Sequence, residues 1–256
     1  GHGTHVSGII AAVKNNNKGI AGVASGCKIM AVRAGFKNLG GKGSLYDSDI
    51  EQAVLYAIEN QAKVISMSFG SYSIGGAYED ELRAAYSENI VLVAAAGNNN
   101  TSYPLYPAAM EEVIAVAATD QNDNRAWFSN YGDWIDVAAP GVSILSILPN
   151  NSYAAWSGTS MACPYVSGLA ALVKAKNPNF NNSEIKNILQ ASSDYIENDA
   201  YIWSRINAYK AVILNSAPLM PIARFDTKGS VHGITDIIGT AAGETFKSYS
   251  LYYGKD

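Results

Sequence analysis

The chain has 256 residues, 48% of them hydrophobic and 16% charged, with a formal net charge of −4. That size and composition suit one large globular domain, or one domain plus part of another, and the net charge gives no argument for nucleic acid or an anionic membrane as partner. Two cysteines are too few for a disulfide framework, and the longest apolar run, 161–175, is interrupted by Pro164, Ser167, Gly168 and Lys174, so no segment reads as a membrane span.

Two kinds of segment alternate along the chain. It opens on GHGTHVSGII, with His2 and His5 at the start of a helical pattern over 4–13. A short apolar run, CKIMAVRA (27–34), predicts a buried strand, and SDIEQAVLYAIENQ (48–61) a helix. AKVISMSFG (62–70), IVLVAAAGN (90–98) and VIAVAATD (113–120) predict further strands, with a helix over 79–89 between the first two. Strands that are apolar on both faces and alternate with helices imply an α/β fold, with a mainly parallel sheet covered on each side.

Further on, VSILSILPNNSYAAWSGTS predicts a hairpin with Asn150 and Asn151 in its turn. A long apolar helix over 160–176 follows, stopped by Asn177 and Pro178, with Pro164 expected in its first turn. NNSEIKNILQAS predicts one more helix, capped by Asn182 or Ser183. From about Ala217 the pattern changes: SAPLMPIA is a proline-containing joint, and 231–256 reads as two alternating β runs around glycine-rich turns. Two strands have no core of their own. Residues 218–256 are therefore expected to begin a β-rich C-terminal module that follows a domain over 1–217.

Three positions combine residue type and placement in a way that suggests chemistry. Ser160 lies where a loop becomes a helix, among small residues, so its hydroxyl and backbone N–H sit at a helix N-terminus that favours a developing oxyanion. The plainer reading is a helix cap supplied by Thr159 or Ser160. His2 is of the type that takes a serine proton near neutral pH, although a satisfied histidine at a helix start is the alternative. HGTH does not read as a zinc pair, because its histidines are three apart with no glutamate between them. Asn98 ends a buried strand at the carboxyl edge of a sheet, where its amide is either a turn residue or a donor to an oxyanion.

HGTHVSG, AAGN and GTSMACP, in that order, resemble the subtilisin-like serine proteases (the subtilase family), in particular a thermitase-like bacterial type. The likeness runs from Gly1 to about Leu214, with SMSFG, YPA, DVAAPG and RINAYKAV in register. It implies that His2 is the general base, Ser160 the nucleophile, and Asn98 the oxyanion donor beside the Ser160 N–H. Ser68, Phe69 and Gly70, with Gly41 and Gly43 of GKG, would be two edge segments that pair with an extended substrate. Ala96 and Gly97 would line the pocket for the side chain before the scissile bond, their small size leaving room for a large apolar group. VKNNNKGIAG resembles the family's calcium loop, with ligands from the carbonyls of Val13, Lys18 and Ile20 and the Asn16 side chain; an Asn-rich polar turn is the plain alternative. Cys163 would be a small buried packing residue.

In this family the aspartate of the triad precedes the histidine in an Asp-Ser/Thr-Gly setting, and the calcium loop draws acidic ligands from upstream. Asp47, Asp49, Asp120 and Asp136 lie in other settings. The chain is thus expected to be cut at both ends, and residues 1–256 alone to be poorly folded and nearly inactive. The function implied is a secreted or cell-surface, monomeric serine endopeptidase acting on polypeptides through an acyl-enzyme. An esterase of the α/β-hydrolase kind fits badly, because its G-x-S-x-G elbow precedes the histidine and Ala162 stands at the fifth position here. The other reading is a catalytically inactive relative serving as a surface binding module.

Overall fold

A computed structural model describes residues 1–38, 40, 43–73, 78–196 and 204–218, with the backbone of 222–225 and 239–242. Helix α1 (His2–Ala11) opens the chain, two residues earlier than the pattern predicts. The expected strand over 27–34 is absent. A strand persists only where a neighbour takes its N–H and C=O groups, and no described segment runs alongside this one, leaving Ile29, Met30 and Val32 about 40% exposed. The chain instead pairs β1 (Gly35–Lys37) antiparallel with β2 (Gly43–Leu45), then enters α2 (Asp47–Glu59).

The central sheet is built from β3 (Val64–Met67), β4 (Val91–Ala95), β5 (Val113–Thr119) and β6 (Val137–Pro140), all parallel, with α3 (Tyr78–Ser87) between β3 and β4. Beyond β6 the chain forms the hairpin β7 (Ile144–Leu148) and β8 (Ser152–Trp156). Asn150 and Asn151 both have positive φ in its turn, as their amide side chains tolerate. Helices α4 (Thr159–Lys176) and α5 (Asn182–Ala191) come next. β9 (Asp194–Tyr195) and β10 (Ser204–Arg205) complete a sheet of order β3-β4-β5-β6-β10-β9, with β9 antiparallel to β10. After α6 (Ala208–Ile213), β11 (Ile222–Phe225) pairs antiparallel with β12 (Gly239–Ala242). The predicted runs after 242 lie outside the described residues.

The period of two along each strand divides the core. Val91, Val93 and Ala95 of β4, with Ile114, Val116 and Ala118 of β5, pack against Val166, Leu169 and Val173 of α4 and Ile185 and Ile188 of α5. The alternate residues, Leu92 and Ala94 with Val113, Ala115 and Ala117, pack against Ile50 and Val54 of α2 and Leu82 of α3. Helices therefore cover both faces of a mainly parallel sheet, as the sequence predicts. α1 lies against α4 through Val6, Ile9 and Met161.

Two local expectations need correction. The cap of α5 is Asn181, whose side chain accepts from Glu184 N while Glu184 reaches back to Asn181 N. Asn182 is occupied elsewhere: it is buried and its Nδ2 donates to Tyr86 O at 2.6 Å, tying α5 to the end of α3. Pro164 is the sixth residue of α4 and lies in its second turn, not its first. There it removes a helical N–H, and a hydroxyl from another segment stands in for it, as described below.

Candidate active site

The carboxyl ends of β3, β4 and β6 meet the N-terminus of α4. Alanine fills the strand ends (Ala94, Ala95, Ala96, Ala138 and Ala139, each at most 3% exposed), which lets the helix approach closely. Gly158 N donates to Gly141 O at 2.8 Å, Gly97 N to Thr159 Oγ1 at 3.0 Å, and Ser68 Oγ to Ser160 O at 3.0 Å. The N-cap of α4 is Gly158, which has no side chain to cap the helix, so neither Thr159 nor Ser160 is the capping residue.

Asn98 is oriented by its oxygen. Oδ1 accepts from Thr159 N at 2.8 Å and from Thr159 Oγ1 at 3.0 Å, which assigns Nδ2 as the amide's remaining donor. A Cβ placed on Gly158 would stand 3.6 Å from Asn98 Nδ2 and 3.7 Å from Ser160 N. Both nitrogens therefore border one small space over the Gly158 Cα.

The turn that carries Asn98 depends on a residue the sequence did not single out. Asn130 is fully buried; its Nδ2 donates to Ala96 O at 2.8 Å and to Tyr72 Oη at 3.0 Å. Its Oδ1 accepts from Asn99 N at 3.0 Å and Thr101 N at 3.4 Å, and its own N–H donates to Gly97 O at 3.0 Å. These bonds bracket Asn98 on both sides. Gly97 has φ +103°, and a Cβ there would lie 2.5 Å from Asn130 Nδ2, so the turn requires glycine twice over. Thr159, read from sequence only as a candidate cap, is the other residue missed; its contacts with Gly97 and Asn98 span about sixty residues of chain.

His2 is the first residue of α1 and is exposed. Its ring lies 6.4 Å from that of Trp156, at 18°. Although the residue is exposed overall, partial desolvation of the ring, then the neighbouring His5 and the Gly1 amino group, hold the His2 imidazole below its ordinary pKa, which favours the neutral, proton-accepting form. The structure does not join His2 to Ser160 by a hydrogen bond: Ser160 Oγ points instead to Ser68 O, at 3.4 Å. His5 has a structural part. It is fully buried and stacked on Trp156 at 4.5 Å, with Nε2 bonded to Ala154 O at 3.0 Å, and it fastens α1 to the hairpin.

Among the described residues no ion pair reaches His2. Asp136 pairs with Lys186 at 2.9 Å, Asp120 accepts from Asn122 N and Asn124 N in its own turn, and Asp47 and Asp49 sit in the first turn of α2.

Ser68, Phe69 and Gly70 leave the sheet after the last ladder pair, Met67 with Ala94, and pairing resumes at Ser71 with Tyr106. Their backbone runs unpaired between these points. Gly43 opens β2 opposite Lys37, and Gly41 lies outside the described residues. Ala96 is buried beside Gly97. Leu105 Cδ2 stands 2.6 Å from where a Gly70 Cβ would be and 3.0 Å from that of Gly97, so one methyl approaches both segments.

The 13–20 loop is exposed at Val13, Asn16 and Lys18, and half-buried at Ile20. Asn16 Oδ1 accepts from Lys18 N at 3.0 Å, while Asn15, Asn17 and Gly19 have positive φ. Its oxygens are of the kind a hard cation takes, but four neutral donors are fewer than the six to eight of Ca²⁺, and no acidic cluster of metal-ligating size occurs among the described residues. Cys163 is fully buried, 3.6 Å from Ser66 Oγ, with its thiol pushed above the usual range by burial, as suits a packing residue.

The description "Subtilase family" belongs to the family model that matches residues 1–239. A thermophilic serine proteinase of Bacillus sp. (strain AK1) is 47% identical over 213 residues, covering 82% of this chain and 52% of that protein. Thermitase of Thermoactinomyces vulgaris is 44% identical over 214 residues, covering 83% of this chain and 75% of thermitase. Among solved structures, a protease of Pseudoalteromonas arctica superposes with a TM-score of 0.76 at 35% identity, over 82% of this chain and 70% of that one. The chain thus spans about half the length of the Bacillus relative. With the family model covering nearly all of it, and relatives this similar across most of its length, the chain belongs to the subtilase family.

Proposed function

We propose that the full-length protein is a secreted, monomeric serine endopeptidase that cleaves polypeptides through an acyl-enzyme. The observation that carries this reading is the shared space bordered by Asn98 Nδ2 and Ser160 N, next to the Ser160 hydroxyl at the N-terminus of α4. In the proposed cycle Ser160 Oγ attacks the scissile carbonyl carbon and passes its proton to the His2 ring. The carbonyl oxygen, now anionic, takes hydrogen bonds from Asn98 Nδ2 and Ser160 N–H. His2 returns the proton to the leaving amine, and water then releases the acyl group by the same path. A fluorophosphonate probe tests the assignment: it should label the full-length protein at Ser160 alone. Absence of labelling would favour the inactive, binding relative. The described part of the chain contains no helix long and apolar enough to cross a membrane. Val212, Leu214 and Ala217 still pack on the main core, which supports a domain limit near 217, although the family match continues to 239.

Leu105 sets the expected specificity. With its methyl between Gly70 and Gly97, the pocket before the scissile bond holds a small side chain better than a large one. Peptides with Ala at that position should be cleaved at least about tenfold faster, by kcat/KM, than peptides with Phe, and Leu105→Ala should narrow or reverse the ratio. An unchanged ratio in the variant would place the pocket elsewhere.

The 13–20 loop is proposed to give Ca²⁺ four oxygen ligands, from Val13, Lys18 and Ile20 carbonyls and Asn16 Oδ1, the rest coming from water and other segments. Binding to the folded state alone raises the melting temperature by mass action. The full-length protein should melt higher in excess Ca²⁺ than in chelator, and Asn16→Ala should shrink the difference. Equal melting temperatures in both conditions would remove the site.

A further inference from the structure

An α-helix bonds each carbonyl to the N–H four residues later. For Ser160 that later residue is Pro164, which has no N–H to give. The acceptor left over belongs to the very residue read as the nucleophile. It is satisfied from 92 residues away: Ser68 Oγ donates to Ser160 O at 3.0 Å, and Ser160 Oγ lies 3.4 Å from Ser68 O. Ser68 is also the first residue beyond β3, at the start of the unpaired edge. One serine thus spans two parts of the site.

We propose that Ser68 is a positioning residue for Ser160, its hydroxyl replacing the helical N–H that Pro164 lacks. A carbonyl in the first turn with no donor tilts outward to find one, and the peptide planes beside it turn too. Here those planes carry the Ser160 N–H and set the direction of its Oγ. By closing the bond, Ser68 holds both against Asn98 and fixes the distance between nucleophile and substrate edge. Catalytic groups tolerate errors of only about 0.5 Å, so the effect falls on the chemical step. The inference rests on the serine-peptidase reading.

The test is a double-mutant cycle in the full-length protein, using Ser68→Ala, Pro164→Ala and both together. In the parent background Ser68→Ala should lower kcat about tenfold and leave KM within about twofold, the size expected for one lost hydrogen bond to a half-buried acceptor. With alanine at 164 the helix supplies its own N–H, and the same substitution should cost less than about twofold. Equal losses in the two backgrounds overturn the proposal. A loss confined to KM also overturns it, leaving Ser68 as a substrate-edge residue only. Thermal melts of the same four proteins read the coupling without catalysis: Ser68→Ala, which also removes a neighbour of the Cys163 thiol, should lower Tm more where residue 164 is proline than where it is alanine. If the parent is active and the melts are additive, this inference fails while the peptidase reading stands. If the melts are coupled but no form is active or labelled, the peptidase reading fails, and the positioning role fails with it.

Discussion

Ser160→Ala should abolish peptidase activity of the full-length protein, lowering kcat on the order of 10⁶-fold, the size found for subtilisin itself. The neighbouring hydroxyls of Ser68 and Thr159 are engaged in donating to Ser160 O and Asn98 Oδ1, which leaves Ser160 as the hydroxyl placed to attack a carbonyl. The fold should be nearly indifferent. Ser160 Oγ makes a single long contact, 3.4 Å to Ser68 O, and the cap of α4 is Gly158 rather than Ser160. A half-buried hydroxyl with so little to lose should change stability by about 0.5 kcal/mol or less. Melting curves that superpose, with fluorophosphonate labelling lost, would isolate the chemistry from the scaffold. Labelling that persists at another residue, or hydrolysis that survives in the variant, would remove Ser160 from its role.

The parts of this fold that were legible in the sequence are those whose signal is local. β4 and β5 read correctly because each is a run of apolar residues buried on both faces, a pattern that survives without knowledge of the neighbours. The segment 27–34 is also mostly apolar, though it carries Lys28 and Arg33, and forms no strand, because composition cannot state whether a partner lies alongside. β6 is only four residues long, and β9 and β10 two each, below the length at which alternation can be seen. The last two are held by charge instead: Asp194 pairs with Arg205 at 3.0 Å and Lys210 at 2.6 Å and accepts from Asn207 at 2.9 Å.

The candidate site divides in the same way. Ser160 at a helix start, and Gly97 with Asn98 at a strand end, announce themselves through residue type and immediate context. Asn130 does not, since an asparagine in FSNYG looks like any polar loop residue until its four side-chain bonds to Tyr72 and the 96–101 turn are seen. The service that Ser68 performs for the Pro164 turn is similarly hidden, because donor and acceptor lie on different layers of the fold. How much room Ala96 and Gly97 leave is hidden for a related reason, because Leu105, whose Cδ2 stands 3.0 Å from where a Gly97 Cβ would be, comes from another segment.

Asn98→Asp should separate the two ends of this amide. The substitution keeps an oxygen where Thr159 N and Thr159 Oγ1 donate, at 2.8 and 3.0 Å, so the turn held by Asn130 has no reason to move. What it removes is Nδ2, the donor beside Ser160 N, replacing it with a carboxylate oxygen that repels an anion. The loss falls where charge develops on the substrate oxygen, that is, in the transition state. We expect kcat to drop by at least roughly 10²–10³, with KM within about threefold of the parent. Asn98→Ala, which deletes both ends, should match that range from below while also lowering Tm, because Thr159 then loses its acceptor. The pair of variants thus distinguishes catalysis from scaffold: Asp takes the rate and spares the melt, Ala takes both. If Asn98→Asp raises KM and leaves kcat near the parent value, the amide binds ground-state substrate, and the space over Gly158 is not where the oxyanion forms.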